Sequence, residues 1–340
     1  MGIRFSLVTV VALILVSFLG AWAAGFNYFF GVVVPYLAIL AFFCGVVFRV
    51  LRWASSPVPF RIPTTAGQQK SLPWIRHAKL DNPSTKRQAV GRMVLEVLLF
   101  RSLFRNTKFE MGQGPKVFYQ WEKWLWFAGL AFHYSFLVIL IRHLRFFTTP
   151  VPFFVHGVER LDGFFQLGLP GFYMTDAIFV LAATYLLIRR LIIPQVRYIS
   201  LPQDYFPLFL LLAIGITGIL TRYFIRVDIT KVKQIAMGLI SFHPVVPEGI
   251  GAIFFIHFFL VSIFFAYFPF SKLMHAGGVL LSPTRNLPND SRIVRHVNPW
   301  NYPVKVHTYQ EYEDHFRDKM IEAGLPVEKG EDEIPAASKS

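Results

Sequence analysis

Charge and cysteine are both scarce in this chain of 340 residues. Charged side chains make up 16 % of it, against about 25 % in a soluble domain. That shortage argues against a soluble globular protein. A single cysteine, Cys44, cannot build a disulfide framework, a zinc knuckle or a cysteine-ligated iron–sulfur cluster. Its simplest role is that of a small buried apolar residue. No Cys-X-X-Cys-His run is present, which excludes covalently attached c-type haem. Acidic residues are also few, 20 against 34 basic ones, for a net charge of +14. The bases fall in loops between apolar runs. They therefore read as orienting charges and as contacts with anionic lipid, not as a nucleic-acid surface.

Apolar residues are what the chain has in excess. They supply 54 % of it, and Phe alone accounts for 37 positions. Six segments are long enough to cross a hydrocarbon core, which takes about 20 helical residues. They run from Phe5 to Ala24, Tyr28 to Phe48, Trp124 to Phe146, Phe172 to Ile193, Phe206 to Phe224 and Ile250 to Phe270. The expected fold is an all-α integral membrane protein, a bundle of six transmembrane helices with an irregular cytoplasmic loop and a C-terminal tail. The first segment has the outline of a signal peptide, with Arg4 before it and Ala21-Trp22-Ala23 near its end. Its length and the immediate second span favour a retained hairpin.

Direction follows from the loops. Eleven Lys or Arg residues lie between Val58 and Tyr119, three (Arg189, Arg190, Arg197) between spans four and five, and nine after Ser271. Thr148 to Pro170 holds only Arg160. The stretch after span five is mixed, with Arg222, Arg226, Lys231 and Lys233. Bases stay on the cytoplasmic side, so both termini, the long loop and the tail are expected there, in a multi-pass protein of a bacterial or archaeal cytoplasmic membrane. The loop is rich in proline up to about Gln88. From there to Phe104 an amphipathic stretch (Val90, Met93, Val94, Val97, Leu98, Leu99) suits the membrane surface. In the tail, Tyr309 to Gly324 fits a short helix and Glu328 to Ser340 fits disorder. Loop and tail are either a docking surface for a soluble partner or simply solvated.

Within this apolar chain, two spans each carry a pair of histidines. His133 and His143 are ten positions apart on the third span; His257 and His275 are eighteen apart on and just after the sixth. Ionisable groups inside a span are costly and mark function. A helix rises about 1.5 Å and turns about 100° per residue. Ten positions therefore give roughly 15 Å and 80°. Eighteen positions give five whole turns and roughly 27 Å. Pro269 lies between the second pair and should bend that helix. The third span runs outward and the sixth inward, so depth pairs His143 with His257 and His133 with His275. Each pair can hold one haem iron by two neutral imidazoles. The alternative for any single intramembrane His is hydrogen-bonded packing, and His275, close to the membrane edge, is the weakest of the four. His77, His156, His243, His296, His307 and His315 lie in loops or tail and read as polar surface.

Histidines ten apart on one helix and eighteen apart on a later one resemble the di-haem gamma subunit of respiratory nitrate reductase. The six-span layout, with an early hairpin, a long loop and a polar tail, more closely resembles the DsrM family, the membrane cytochrome b of the electron-transfer complex associated with dissimilatory sulfite reductase. Motif support runs from about Trp121 to Gly277. The resemblance implies two non-covalent haem b groups, with His133 and His275 on the haem nearer the cytoplasm and His143 and His257 on the outer one. It implies menaquinone as the membrane substrate and a cytoplasmic iron–sulfur partner resembling heterodisulfide reductase, beside other membrane and periplasmic subunits. The family places an ionisable side chain at the outer start of the helix after the first His pair. Here that position is Asp176, acidic where the nitrate enzyme is basic. Asp176 is then a proton acceptor for quinol, with Tyr173 as hydrogen-bond donor, or else a helix cap. Arg142 and Arg145 flank His143. They would neutralise haem propionates or hold the quinone headgroup, or else snorkel.

The domain reading is a transmembrane hairpin (1–53), a cytoplasmic loop with an amphipathic helix (54–120), a di-haem four-helix domain (121–277) and a cytoplasmic tail (278–340). The function expected is that of a quinone-linked redox subunit. The alternative is a transporter or proton channel with a histidine relay; it would bring internal repeats and mid-membrane acids, neither of which stands out.

Overall fold

In lipid, backbone N–H and C=O groups must be satisfied within the protein, so an apolar chain spans a membrane as helices or as a closed barrel. This chain takes the helical solution. The computed structural model describes residues 2–56, 67–111, 117–163, 172–293 and 306–328. In chain order these form α1 (Gly2–Ala23), α2 (Phe29–Ala54), α3 (Lys86–Leu99), α4 (Arg101–Phe104), strands β1 (Thr107–Met111) and β2 (Val117–Trp121), α5 (Lys123–Phe146), α6 (Phe153–Asp162) and α7 (Met174–Ile192). Then come α8 (Pro194–Ile199), α9 (Pro202–Phe224), α10 (Ile229–Ile240), α11 (Ala252–Phe270), α12 (His275–Leu281), α13 (Pro283–Asn286) and α14 (Tyr309–Glu322).

Among the described residues five helices are long and apolar enough to cross a membrane: α1, α2, α5, α9 and α11. They coincide with five of the six expected spans to within a few residues, except that α2 continues six residues further, to Ala54. The remaining expected span is α7. It has 19 residues but carries Asp176 in its first turn and Arg189 and Arg190 in its last. Its composition alone does not qualify it. Its packing puts it in the bundle, because α7 lies between α5 and α9.

The helices pack in the order α5, α7, α9, α11, α2, with α1 against both α9 and α11. Small residues let them approach, as expected where lipid offers no hydrophobic drive. At Gly45 of α2 an added Cβ would lie 2.7 Å from the Pro269 ring. That contact fixes the end of α11 just before the chain turns into His275. One apolar core gathers Ala21, Phe30 and Val32 with Phe254, Phe255 and Phe259 of α11 and with Ile235 and Leu239 of α10. Helix α10 is an amphipathic connector tied to α2 by the Tyr36 hydroxyl, which donates to the Leu239 carbonyl at 2.9 Å. Cys44 is exposed on α2, not buried as its apolar setting suggests.

The loop after α2 is more ordered than its prolines imply, though Pro57, Pro59 and Pro63 lie outside the described residues. Strands β1 and β2 pair antiparallel, Thr107 opposite Trp121. The amphipathic stretch is two helices, α3 and α4, broken at Phe100, whose φ is +48°. Helix α3 buries Ala89, Arg92 and Glu96 and turns Val90, Val94, Val97 and Leu98 outward. Its end is fastened to α5: the Trp126 indole donates to the Leu99 carbonyl at 2.7 Å and the Tyr134 hydroxyl to Leu98 at 2.9 Å. Asp81 pairs with Arg101 at 2.5 Å and also with Arg105.

The chain divides into two compact units, Met1–Val294 and Arg295–Ser340. The second contains α14, where the short tail helix is expected. Thr308 and Glu311 form its capping box, and Glu313 is fully buried against Arg317 at 2.5 Å. The rest of the tail expected to be disordered, from residue 329 on, lies outside the described residues, as does His296.

Candidate functional site

Helix α5 presents His133 from its third turn and His143 near its end; α11 presents His257, and α12 opens on His275. Helices α5 and α11 are linked through α7 and α9, not through close backbone packing on one another. Between the two histidine levels they meet through aromatic rings: Phe136 lies 6.0 Å from Phe264 and 6.0 Å from Phe179 of α7.

Each imidazole is held by the same nitrogen. Nδ1 of His133 lies 2.7 Å from the Gly129 carbonyl, Nδ1 of His143 2.7 Å from that of Ile139, and Nδ1 of His275 2.9 Å from that of Lys272. A carbonyl only accepts, so Nδ1 carries the proton and Nε2 is left with a lone pair. His257 reaches the same state by another route, its Nδ1 lying 3.0 Å from the Thr217 hydroxyl of α9. That is the neutral tautomer a metal needs.

At one end two of the four histidines lie close together. The His133 and His275 rings lie 6.1 Å apart, at 84° to each other. Two imidazoles sharing one metal ion through bonds of about 2 Å would have ring centres on the order of 6 Å apart. At the other end His143 lies within electrostatic reach of His257. Gly218 makes room there: an added Cβ would lie 3.1 Å from Cε1 of His257. Among the described residues no group of three or more His, Cys, Asp or Glu gathers to hold a bare ion. The histidines come in twos, which suits a porphyrin that brings four ligands of its own.

Beside His143 lies a buried polar network. Arg142, 8 % exposed, pairs with Asp176 of α7 and with Asp162 at the end of α6, the latter at 3.0 Å. Asp176 also accepts the Tyr223 hydroxyl at 2.5 Å, and that oxygen accepts the Tyr173 amide at 3.0 Å. The guanidinium carbons of Arg142 and Arg222 lie 4.1 Å and 4.5 Å from the centre of the Tyr173 ring. Arg145 is held elsewhere, by Glu159 at 2.7 Å. A cleft of about 400 Å³ lined by His156, Glu159, Arg160, Gly163 and Tyr173 opens beside the network. Among the described residues the buried Arg142 Nε and Nη1 have no hydrogen-bond acceptor, so the pair with Asp162 is an ion pair without hydrogen-bond alignment. Buried donors of this kind cost about 1–3 kcal/mol, and they fit a group that brings acceptor oxygens.

The capping role open to Asp176 belongs to a different acid. Asp162 accepts the Thr175 amide at 2.9 Å and the Thr175 hydroxyl at 2.7 Å. That leaves Asp176 to side chains alone. Asp162, Thr217, Tyr223 and Arg222 are site residues that sequence reasoning missed. Only Arg222, a charge near a span end, carried a signal.

Paired histidines in a helical bundle long and apolar enough to cross a membrane, taken with the family match, support a membrane cytochrome b with an electron-transfer role. The family comparison agrees: residues 93–296 match the nitrate reductase gamma subunit model, and the chain belongs to that family. It is similar to the "Hdr-like menaquinol oxidoreductase cytochrome b-like subunit" of Archaeoglobus fulgidus, 48 % identical over 279 residues, covering 80 % of this chain and 83 % of the relative. The protein of the same name from Archaeoglobus profundus is 45 % identical over 274 residues, covering 78 % and 81 %.

Proposed function

We propose that this chain is a di-haem cytochrome b that passes electrons between menaquinone and a cytoplasmic iron–sulfur partner resembling heterodisulfide reductase. Six spans, α7 among them, leave both termini cytoplasmic. His133 and His275 then hold the haem nearer the cytoplasm, and His143 and His257 the outer one. When bound, each haem supplies one-electron chemistry. The menaquinol and Hdr-like elements in the names of both relatives support the quinone and the partner. The setting we infer is the complex associated with sulfite reductase, with further membrane and periplasmic subunits.

The observation that carries the reading is the common tautomer: four intramembrane or membrane-edge histidines, each anchored at Nδ1, two of them 6.1 Å apart. At the outer end, Asp176 is the proton acceptor for quinol. Its carboxylate has about four lone-pair sites, and Arg142 and Tyr223 occupy two, holding it in place. Tyr173 lines the cleft, and both guanidiniums lie over its ring. Arg142, through its Nε, and Arg222, which lies over Tyr173 and Tyr223, would be the donors to the acceptor oxygens of a propionate or a quinone.

The test is the reduced-minus-oxidised visible spectrum of the purified protein. Two b haems per chain are expected. His133→Ala and His275→Ala should remove one and the same haem, His143→Ala and His257→Ala the other. No porphyrin bands, or losses that pair otherwise, would refute the assignment.

A further inference from the structure

Three of the four histidines find their Nδ1 acceptor in a carbonyl three or four residues back in their own segment. No side-chain substitution can remove those bonds. His257 is different, because a side chain from a neighbouring helix holds it. Thr217 is 6 % exposed. Its single hydroxyl proton is directed at main-chain carbonyls of α9, Ala213 at 2.7 Å and Ile214 at 3.1 Å. The 3.0 Å contact with His257 is therefore made by a Thr217 lone pair, and the imidazole is the donor. Gly218, the next residue, leaves the space the ring fills. Position 217 supplies the acceptor and position 218 the room, so α9 forms the cradle for a ligand carried by α11.

An acceptor on Nδ1–H raises the basicity of Nε2 and fixes the ring plane. A more basic axial ligand favours oxidised over reduced iron. We infer that Thr217 is a positioning residue for His257, one that fixes its tautomer and holds the potential of the metal group bound there lower than an unbonded ring would. This rests on the reading that His143 and His257 hold a haem. It gives that centre a side-chain hydrogen bond that a substitution can remove, whereas His133 and His275 are anchored by backbone carbonyls.

The test is an optical redox titration of the whole protein. Wild type should titrate in two steps, and His257→Ala should identify the outer one by its loss. Thr217→Val keeps the shape of the side chain and removes the hydroxyl; it should move the outer step to more positive potential and leave the other in place. Thr217→Ser keeps the hydroxyl and should restore the wild-type value. The Ile214 carbonyl also faces this ring, so Thr217→Val tests the hydroxyl alone. If Thr217→Val loses the outer haem while Thr217→Ser retains it at wild-type potential, the hydroxyl is still the positioning group. Two unchanged steps in Thr217→Val, a shift in the other step, or loss of the haem in both variants would overturn the inference. Failure of the underlying reading looks different: wild type without porphyrin bands, or His257→Ala retaining both haems.

Discussion

Removing either end of the Arg142–Asp176 pair should have unequal effects, and the inequality can be worked out from the charges around it. The side chains of Arg142, Asp162 and Asp176 are 9 %, 2 % and 12 % exposed. One buried cation thus faces two buried carboxylates. Arg142→Ala leaves both carboxylates without their shared cation, and breaking a buried pair in this way costs about 3–5 kcal/mol. It also removes the guanidinium stacked 4.1 Å from Tyr173. Asp176→Asn is milder. Arg142 keeps Asp162, and the Asn oxygen still accepts the Tyr223 hydroxyl. What is lost is the charge assistance, about 1–1.5 kcal/mol, the difference between charged and neutral hydrogen bonds. The gap of at least about 2 kcal/mol corresponds to a factor of at least roughly 30 in the unfolding equilibrium. Thermal loss of the b-haem band in detergent reads this directly. Asp176→Asn should also slow reduction of the haem by menaquinol by about 10²–10⁴-fold if Asp176 takes the proton, with haem content intact. An Arg142→Ala protein as stable as Asp176→Asn would refute the charge accounting. Quinol kinetics unchanged in Asp176→Asn would refute the proton role.

Two further outcomes follow from local geometry. Asp81 is held by the Arg101 guanidinium, with Arg105 beside it, which lowers its pKa from 3.8 to about 2. A depressed carboxylate stabilises the folded state above its unfolded pKa and loses that contribution as pH falls through the folded one. With solvent screening allowed for, about 1–2 kcal/mol is at stake. Pepsin cleavage around α3 and α4 should therefore rise steeply as pH falls from 3.8 through about 2, and Asp81→Asn should be cleaved readily at higher pH with little such dependence. A wild-type cleavage rate that follows pepsin's own pH profile would count against it. Gly218→Leu places a side chain where a Cβ already lies 3.1 Å from His257; it should lose the outer haem and keep the other, and retention of both at wild-type potentials would show that the ring has another place to go.

Much of the bundle was legible because membrane helices are written in long apolar runs. Five of the six segments have the length and composition expected. The histidines were legible because charge-capable side chains are rare in such runs, and helical geometry fixes their depth. The rest depended on contacts that leave no periodic trace. Thr217 is an ordinary residue of α9 until the fold brings His257 to 3.0 Å. Asp162 reaches Thr175 from 13 positions before it, and Tyr223 reaches Asp176 from 47 after it. The β1–β2 hairpin is a different kind of miss. Alternating strands around Gly112-Gln113-Gly114-Pro115 carried a turn signal, which the neighbouring prolines and bases obscured. Arg142 and Arg145 were legible as site charges but not as paired ones, since Asp162, Asp176 and Glu159 sit on other helices.

The placement of polarity within the bundle argues for two separate centres, not one continuous polar path. A relay of histidines would need exchangeable groups between the two levels. The contacts found between them are aromatic: Phe136 stacks on Phe132 and Phe179 and touches Phe264 across to α11. Phenyl rings carry no proton, and a proton stepping between the pairs would have to cross them. An electron tunnelling between two metal centres need not bond to anything on its way. At the far end the ionisable groups crowd together instead: Arg142 pairs with Asp162 and Asp176, Tyr223 donates to Asp176, and Arg142 and Arg222 lie over Tyr173. On the proposed reading, proton exchange with quinol would belong to this end, and electrons would pass on toward His133 and His275.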